Sequence, residues 1–411
     1  MFGPAALALL WLLLLAGAFA HQLLLTLLTA ALLLAAALSH VWKRYCLVGV
    51  EYRRRLSRHQ VPFGETIEME VEIVNRKLLP LAWLRIADEL PAPVRPTRGR
   101  VYPSHRAGRV VLDSVVALRP FERVRRRHPL PCVQRGEYEV GPVRLASGDL
   151  FGLVTEETEL DRRDTFVVWP RIVSLADLGL PARQPLGDRR IESWLHEDAT
   201  RVAGAREYQP GDPQRRIHWP ASVRARRLLS KVYEPTTSHR LVVLLNLHTA
   251  EQWVAGTNDP EAVELCIMVA ASIASWAIEA GYQVGLIANG MSRQGGLDLQ
   301  VPPAAGLGQR HRLLDALGRL QPFAVRPFEA TLVKVAPSLR FGTTVVAVCA
   351  AVSAAEAAQL AALRRRGHQT VLVYTGAGAI GGQHALRGAA IRRVDPTGGW
   401  RAMPAISPAM V

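Results

Sequence analysis

Cysteine is scarce in this chain. Cys46, Cys132, Cys266 and Cys349 lie far apart and form no Cys-x-x-Cys pair. That spacing argues against a disulfide scaffold and a structural zinc site, and it suits a reducing compartment. Lysine is scarce too, so nearly all the basic charge is arginine. No Lys, Arg, Asp or Glu occurs before Lys43. There is no phosphate-loop lysine motif, and neither a dinucleotide nor an ATP site is expected.

What is present has room for two or three domains, at 411 residues. Lys and Arg number 50 against 35 Asp and Glu, a formal charge of +15. Such a surplus attracts nucleic acid, anionic lipid or an acidic partner, and the N-terminus favours lipid. Phe2 to Ala20 is apolar, His21 and Gln22 follow, and Leu23 to Leu38 is apolar again apart from Thr26 and Thr29. The run is too long for one comfortable crossing and fits a transmembrane helical hairpin turning at Ala20 to Gln22. A single tilted anchor and a cleaved signal peptide stay open, although Met1 to Pro4 lacks the basic residue a signal peptide wants. Lys43, Arg44, Arg53, Arg54, Arg55 and Arg58 follow the second span. Counted as positive-inside charge, they place the soluble parts and both chain ends on the cytoplasmic side of the inner membrane. Residues 1–46 are read as this hairpin and its basic flank.

Residues 47–170 read as an antiparallel β-sandwich-like domain. Its clearest strand runs from Glu65 to Val74, where Ile67, Met69, Val71 and Ile73 alternate with Glu68, Glu70 and Glu72. Asp149 caps a turn in this reading, and Phe151 and Leu153 anchor the core. Residues 171–238 are a connecting region, irregular up to about Ala203. It holds the densest motif, REYQPGDPQRRIHWPASVRARR, from Arg206 to Arg227. Pro210-Gly211 is a turn signal, and Ala221 to Arg227 suits a brief helix. Two readings of the arginines stay open. One is an internal Asp–Arg network in which Asp212 locks the turn against Trp219; the other is a ligand or partner site of Arg206, Arg215, Arg216 and Arg224. His218 has no nucleophile at matched spacing, so no catalytic residue is expected. No nucleic-acid-binding motif frames the patch, and nucleic acid is not an expected partner.

Residues 239–380 alternate short apolar strands with helices, the pattern of an open α/β sheet. Strands are expected at Leu241–Leu245, Tyr282–Ala288, Thr343–Cys349 and Thr370–Tyr374, and helices at Glu261–Ala280, Gln309–Leu320 and Ser353–Arg366. Ser353 with Glu356 has the spacing of a capping box. The tail, 381–411, adds an edge strand at Ile391 to Val394. Ligands gather at the C-terminal ends of such strands. The first ends in Asn246, His248 and Thr249, with no carboxylate before Glu251.

The central motif resembles the DUF58 family of bacterial membrane-associated proteins. Arg206, Tyr208, Gly211, Asp212, Arg215, Arg216, Ile217, Trp219, Ala221 and Arg224 carry the family's approximate pattern R-x-Y-x-x-G-D-x-x-R-x-I-x-W. Gly136, Tyr138, Gly141 and Pro142 resemble its upstream turn, and Phe151-Gly152-Leu153 its Asp-Pro-Phe-Gly-Leu segment, with Leu150 where Pro is usual. The resemblance implies a C-terminal von Willebrand factor A-like domain. It also implies partnership with MoxR-type AAA+ ATPases or transglutaminase-like membrane proteins. A-type domains place Asp-x-Ser-x-Ser after the first strand; Asn246, His248 and Ala250 stand there instead, so no metal is expected. The functional expectation is a membrane-anchored, non-enzymatic scaffold that binds a cytoplasmic protein. The alternative is an enzyme acting on cell-envelope material or anionic lipid.

Overall fold

Uncharged apolar sequence at the N-terminus forms two helices, α1 (Pro4–Phe19) and α2 (Leu23–Tyr45), joined at Ala20–Gln22. The computed structural model describes residues 4–149, 154–181, 197–209, 214, 217–235, 240–250, 259–292, 298–394, 400, 401, 403 and 404. The chain divides into two units, Met1–Arg171 with Leu317–Arg319, and Ile172–Ala316 with Leu320–Val411.

The two helices pack closely where Gly17 faces Thr26 and Leu25. In α2 the hydroxyls of Thr26 and Thr29 donate to the carbonyls of Gln22 and Leu25, each at 2.8 Å. Those bonds satisfy the only polar side chains in the apolar run. Leu9, Trp11, Leu12, Leu15, Phe19, Leu24 and Leu27 point outward. Lys43 and Arg44 lie in the last turn of α2, where the helix dipole favours cations. Lys77 closes that end: its ammonium donates to the carbonyls of Tyr45 at 2.6 Å and Val48 at 2.8 Å, and to that of Cys46.

Eleven strands complete the first unit. They are β1 (Val50–Leu56), β2 (Gln60–Val61), β3 (Thr66–Asn75), β4 (Leu81–Pro91), β5 (Arg100–Pro103), β6 (Arg109–Leu118), β7 (Arg123–Pro131), β8 (Gly136–Val140), β9 (Val143–Gly148), β10 (Thr155–Leu160) and β11 (Asp164–Val168). They form three sheets ordered β1-β3-β7, β10-β9-β4-β6-β5 and β2-β11-β8. Every pairing is antiparallel except β2 with β11. One apolar core, including Ile67, Met69, Ile73, Leu84, Ile86, Leu112 and Phe166, draws on all three. On β3 the alternation holds through Val71, but Glu72 is buried. It escapes the penalty of a lone buried carboxylate by pairing with Arg123 at 3.1 Å and Arg125 at 3.4 Å on β7.

In the second unit, β12 (Glu197–Glu207) pairs antiparallel with β13 (Leu229–Pro235), and the seven-residue α3 (Trp219–Ala225) lies between them in sequence. The expectation of irregular chain up to Ala203 is thus corrected from Glu197 on, while 182–196, with Trp194 and His196, lie outside the described residues. Then follow β14 (Arg240–Leu245), α4 (Pro260–Glu279), β15 (Gln283–Ala288), β16 (Gly290–Ser292), β17 (Leu299–Ala304), α5 (Leu307–Arg319), β18 (Leu320–Ala324), α6 (Phe328–Val335), β19 (Thr344–Cys349), α7 (Ala354–Arg365), β20 (Gln369–Tyr374) and β21 (Ala390–Arg393). The main sheet has the order β17-β15-β14-β19-β20-β21, all parallel but β17. Its central strands read as continuous apolar runs because both faces are covered. After β15 comes Asn289-Gly290. It steps the chain from β15 into β16, which pairs with β18. Sequence reading also passed over α6 and the short strands β16, β17 and β18.

Among the described residues, two helices are long and apolar enough to cross a membrane, α2 and α4. Most of α4 is buried, including Val263, Cys266, Ile267, Val269 and Ile273. Asp259 caps it by accepting from the Glu261 N–H at 3.0 Å, and Pro260 opens it at N1.

Candidate functional site

The signature segment builds a small platform whose polar joints face inward. The N–H of Ala221 donates to His218 Nδ1 at 3.2 Å, so His218 caps α3. The buried Ser222 hydroxyl donates to the His218 carbonyl at 3.0 Å and accepts from the Leu229 N–H at 2.9 Å. Ile217 is buried and bridges to Ser230 on β13. The Tyr208 N–H donates to the Leu228 carbonyl at 2.9 Å, tying the end of β12 to the start of β13. These bonds hold Arg206, Trp219 and Arg224 on the outside, and Trp219 is 61% exposed. Gly211, Asp212, Arg215 and Arg216 lie outside the described residues.

A second cluster sits at the strand ends. The chain leaves β14 for β15 on one side and leaves the neighbouring β19 for β20 on the other, so the connections part between β14 and β19. In open α/β sheets that switch point is where ligands bind. Asn289 Oδ1 accepts from the Leu247 N–H at 2.8 Å, which fixes its amide. Its Nδ2 donates to Asn246 Oδ1 at 2.9 Å, and the His248 N–H donates to the same oxygen at 3.0 Å. Asn246 Nδ2 is thereby turned toward Glu356 Oε1, at 3.3 Å. The other carboxylate oxygen accepts from the Ser353 N–H at 2.8 Å, completing the capping box of α7. Burial pushes the Glu356 carboxyl up to about 7, against the opposing pull of these donors. Burial also holds His248 below the usual histidine range.

The sequence places Glu356 in a cap, and it is one. What spacing alone misses is its second bond, to a residue 110 positions away. Thr249, a candidate ligand by sequence, accepts from the Asp259 N–H at 2.8 Å and so braces the start of α4. No group of three or more His, Cys, Asp or Glu able to hold a metal occurs among the described residues.

Asp149 and His218 each hold structure. Asp149 accepts from the Ser39 hydroxyl at 2.8 Å and from the Val154 N–H at 3.0 Å. The four cysteines are buried, and burial pushes the thiols of Cys132 to about 11 and Cys266 to about 12. Thiols so placed carry little thiolate at neutral pH.

One glycine pattern escaped the sequence reading. Gly376, Gly378 and Gly381 follow β20 with Gly-x-Gly-x-x-Gly spacing. The chain then enters a four-residue 3-10 helix, Gln383–Leu386, rather than the α-helix a dinucleotide fingerprint requires. Packing explains two of the three: a Cβ on Gly376 would lie 1.9 Å from the Ala350 carbonyl oxygen, and one on Gly381 2.5 Å from that of Val352.

Residues 204–373 match the family described as "Protein of unknown function DUF58". The uncharacterized protein YeaD of Bacillus subtilis (strain 168) is 25% identical over 251 residues, 61% of this chain. The chain spans 58% of that relative's length. A CARDB domain from Pyrococcus furiosus is similar to 29% of this chain over 83% of its own, at 17% identity and a TM-score of 0.19. A cohesin module from Clostridium perfringens is similar to 29% of this chain over 96% of its own, at 11% identity and a TM-score of 0.21. At such scores neither likeness bears on fold or function. The signature platform and the strand-end cluster both fall within the matched residues, and 204–373 constitute a DUF58 domain.

Proposed function

We propose that the protein is a membrane-anchored scaffold that presents its DUF58 domain to a cytoplasmic protein partner. The observation that carries this reading is the junction between α2 and the β unit. Ser39, inside the helix, bonds Asp149, Lys43 lies 3.6 Å from Glu156, and Lys77 holds the three carbonyls at the helix exit. An apolar helix built this firmly into a folded unit suits an anchor better than a removable signal. α1 and α2 then form the transmembrane hairpin, and the basic flank faces the cytoplasm. The sheet order, with one antiparallel strand beside five parallel ones, supports a von Willebrand factor A-like reading of the second unit. In this domain the switch point is filled by its own amides and Glu356, which favours protein binding without a metal.

The partner proposed on family resemblance is a MoxR-type AAA+ ATPase, with a transglutaminase-like membrane protein as a further member of the assembly. Two measurements test the proposal. The full chain should resist alkaline carbonate extraction and be digested by protease in inverted, not right-side-out, vesicles. A purified MoxR-type ATPase should co-float with liposomes carrying the full chain. Carbonate-soluble protein would end the anchor reading, and an ATPase left at the bottom of the gradient would remove that partner.

A further inference from the structure

We propose that Trp219, Val223 and Leu228 are the apolar centre of a docking surface for an acidic protein segment. This rests on the scaffold reading and names the chemistry of its partner. The three side chains are 61%, 74% and 47% exposed. Trp219 and Val223 are four residues apart on α3, neighbours on one helix face. Ile217, just before them, is buried. Among the described residues the segment thus turns Ile217 inward to hold the platform and leaves Trp219, Val223 and Leu228 exposed.

The charged residues of this segment are predominantly basic. Between Gly204 and Lys231 the described residues include Arg206, Arg224, Arg226, Arg227 and Lys231, against a single acid, Glu207. Arg227 lies 3.7 Å from Glu207, but both are exposed and the pair is screened. Tryptophan and arginine are the residues enriched at the energetic centres of protein interfaces. The complement is a segment with an apolar anchor and flanking carboxylates.

The backbone adds an independent sign. Arg226 takes the left-handed conformation, φ 50, at the C-cap of α3. Glycine is the default there because a Cβ is disfavoured. An arginine at that position adds one more cation to the segment at a cost in backbone strain. A bilayer would also welcome tryptophan and arginine. Yet α3 has only seven residues, too short an apolar face to lie in an interface, whereas a partner's pocket can enclose a single tryptophan.

Photocrosslinking of the full chain in its own membrane tests this. Benzoylphenylalanine is placed at position 223, or at position 333 on α6, where Val333 is also exposed, as the control. The expected result is one protein crosslinked from 223 and not from 333, through a peptide of net negative charge. The yield should fall about tenfold in Trp219→Ala, and likewise in Arg224→Glu with Arg227→Glu. It should also fall with added salt, while the melting temperature stays unchanged. Transfer of the label to lipid, to a second copy of the chain, or to a non-acidic peptide would overturn the proposal, as would a yield indifferent to Trp219→Ala. A protein captured from 333 alone would refute this surface and leave the scaffold standing. No protein captured from either position would count against both.

Discussion

The hydroxyl of Ser39 donates to a carboxylate oxygen of Asp149 at 2.8 Å, joining α2 to the turn after β9 across 110 residues of sequence. Both groups are buried. Ser39→Ala leaves that oxygen without its hydroxyl donor and should cost about 1–3 kcal/mol. Thermal unfolding of the full chain in detergent reads it. In a double-mutant cycle with Asp149→Asn, the two losses should fall short of additive by at least about 0.5 kcal/mol. Additive losses would mean the two residues act separately.

Arg54 bonds four groups of the β unit at once. It donates to Asp164 at 2.7 Å, Asp88 at 2.9 Å, the Val140 carbonyl at 2.9 Å and the Arg162 carbonyl at 2.7 Å. Asp88 also accepts from the Tyr52 hydroxyl at 2.8 Å. Arg54→Met should destabilise by about 3–5 kcal/mol, because Asp88 is left as a buried, uncompensated charge. Arg54→Met with Asp88→Asn should recover part of that loss in urea unfolding. No recovery would place the cost in the lost carbonyl contacts instead.

Glu356 should give the fold a pH dependence of unusual sign. Its carboxyl is raised from 4.5 to about 7 in the folded chain. Between those values the folded state holds more proton than the unfolded state, so stability falls as pH rises through this window and is flat above it. The span is on the order of 3 kcal/mol. His248, depressed by burial, works the other way, gaining stability as pH rises toward the ordinary histidine range. The comparison with Glu356→Gln therefore isolates the carboxyl: the variant should lose the downward slope in denaturant titrations from pH 4.5 to 7. A parallel profile would show that Glu356 does not titrate there.

Glycine-to-alanine changes separate packing from ligand binding in the segment after β20. Gly376→Ala forces a Cβ onto the Ala350 carbonyl and should cost about 1–3 kcal/mol. Gly378→Ala meets only the Tyr374 hydroxyl at 3.5 Å, an ordinary contact, and should be near neutral. Melting temperatures decide it; an equal loss at both positions would contradict the packing account.

Arg226→Gly relieves the left-handed arginine and should raise stability by about 1 kcal/mol. If unfolding in urea shows a loss, the arginine side chain is contributing more than its backbone costs.

Much of the α/β part was legible. β14, β19, β20 and α7 follow from apolar runs and from Ser353 with Glu356, because buried parallel strands and capped helices leave strong local signals. β16, β17, β18 and α6 did not register: they are short, and pairing across the fold defines them. The strand from Glu197 was hidden by polar sequence that only its partner β13 organises. In the candidate site, sequence marked Arg206, Tyr208, Trp219 and Arg224 through their motif. It could not say that Trp219 faces out, since exposure depends on Ile217 and Ser222 taking the inward places. Nor could spacing join Asn246 to Glu356.

The Lys77 clasp at the exit of α2 ties the helix to the β unit. At 23 residues, α2 is about 35 Å long, a little more than a typical hydrocarbon core. A helix that exceeds its bilayer tilts, and a thicker bilayer sets it upright. In the anchored state proposed above, a tilt of α2 would carry the β unit with it. Lipid composition would thus set the angle at which this protein presents itself to the cell.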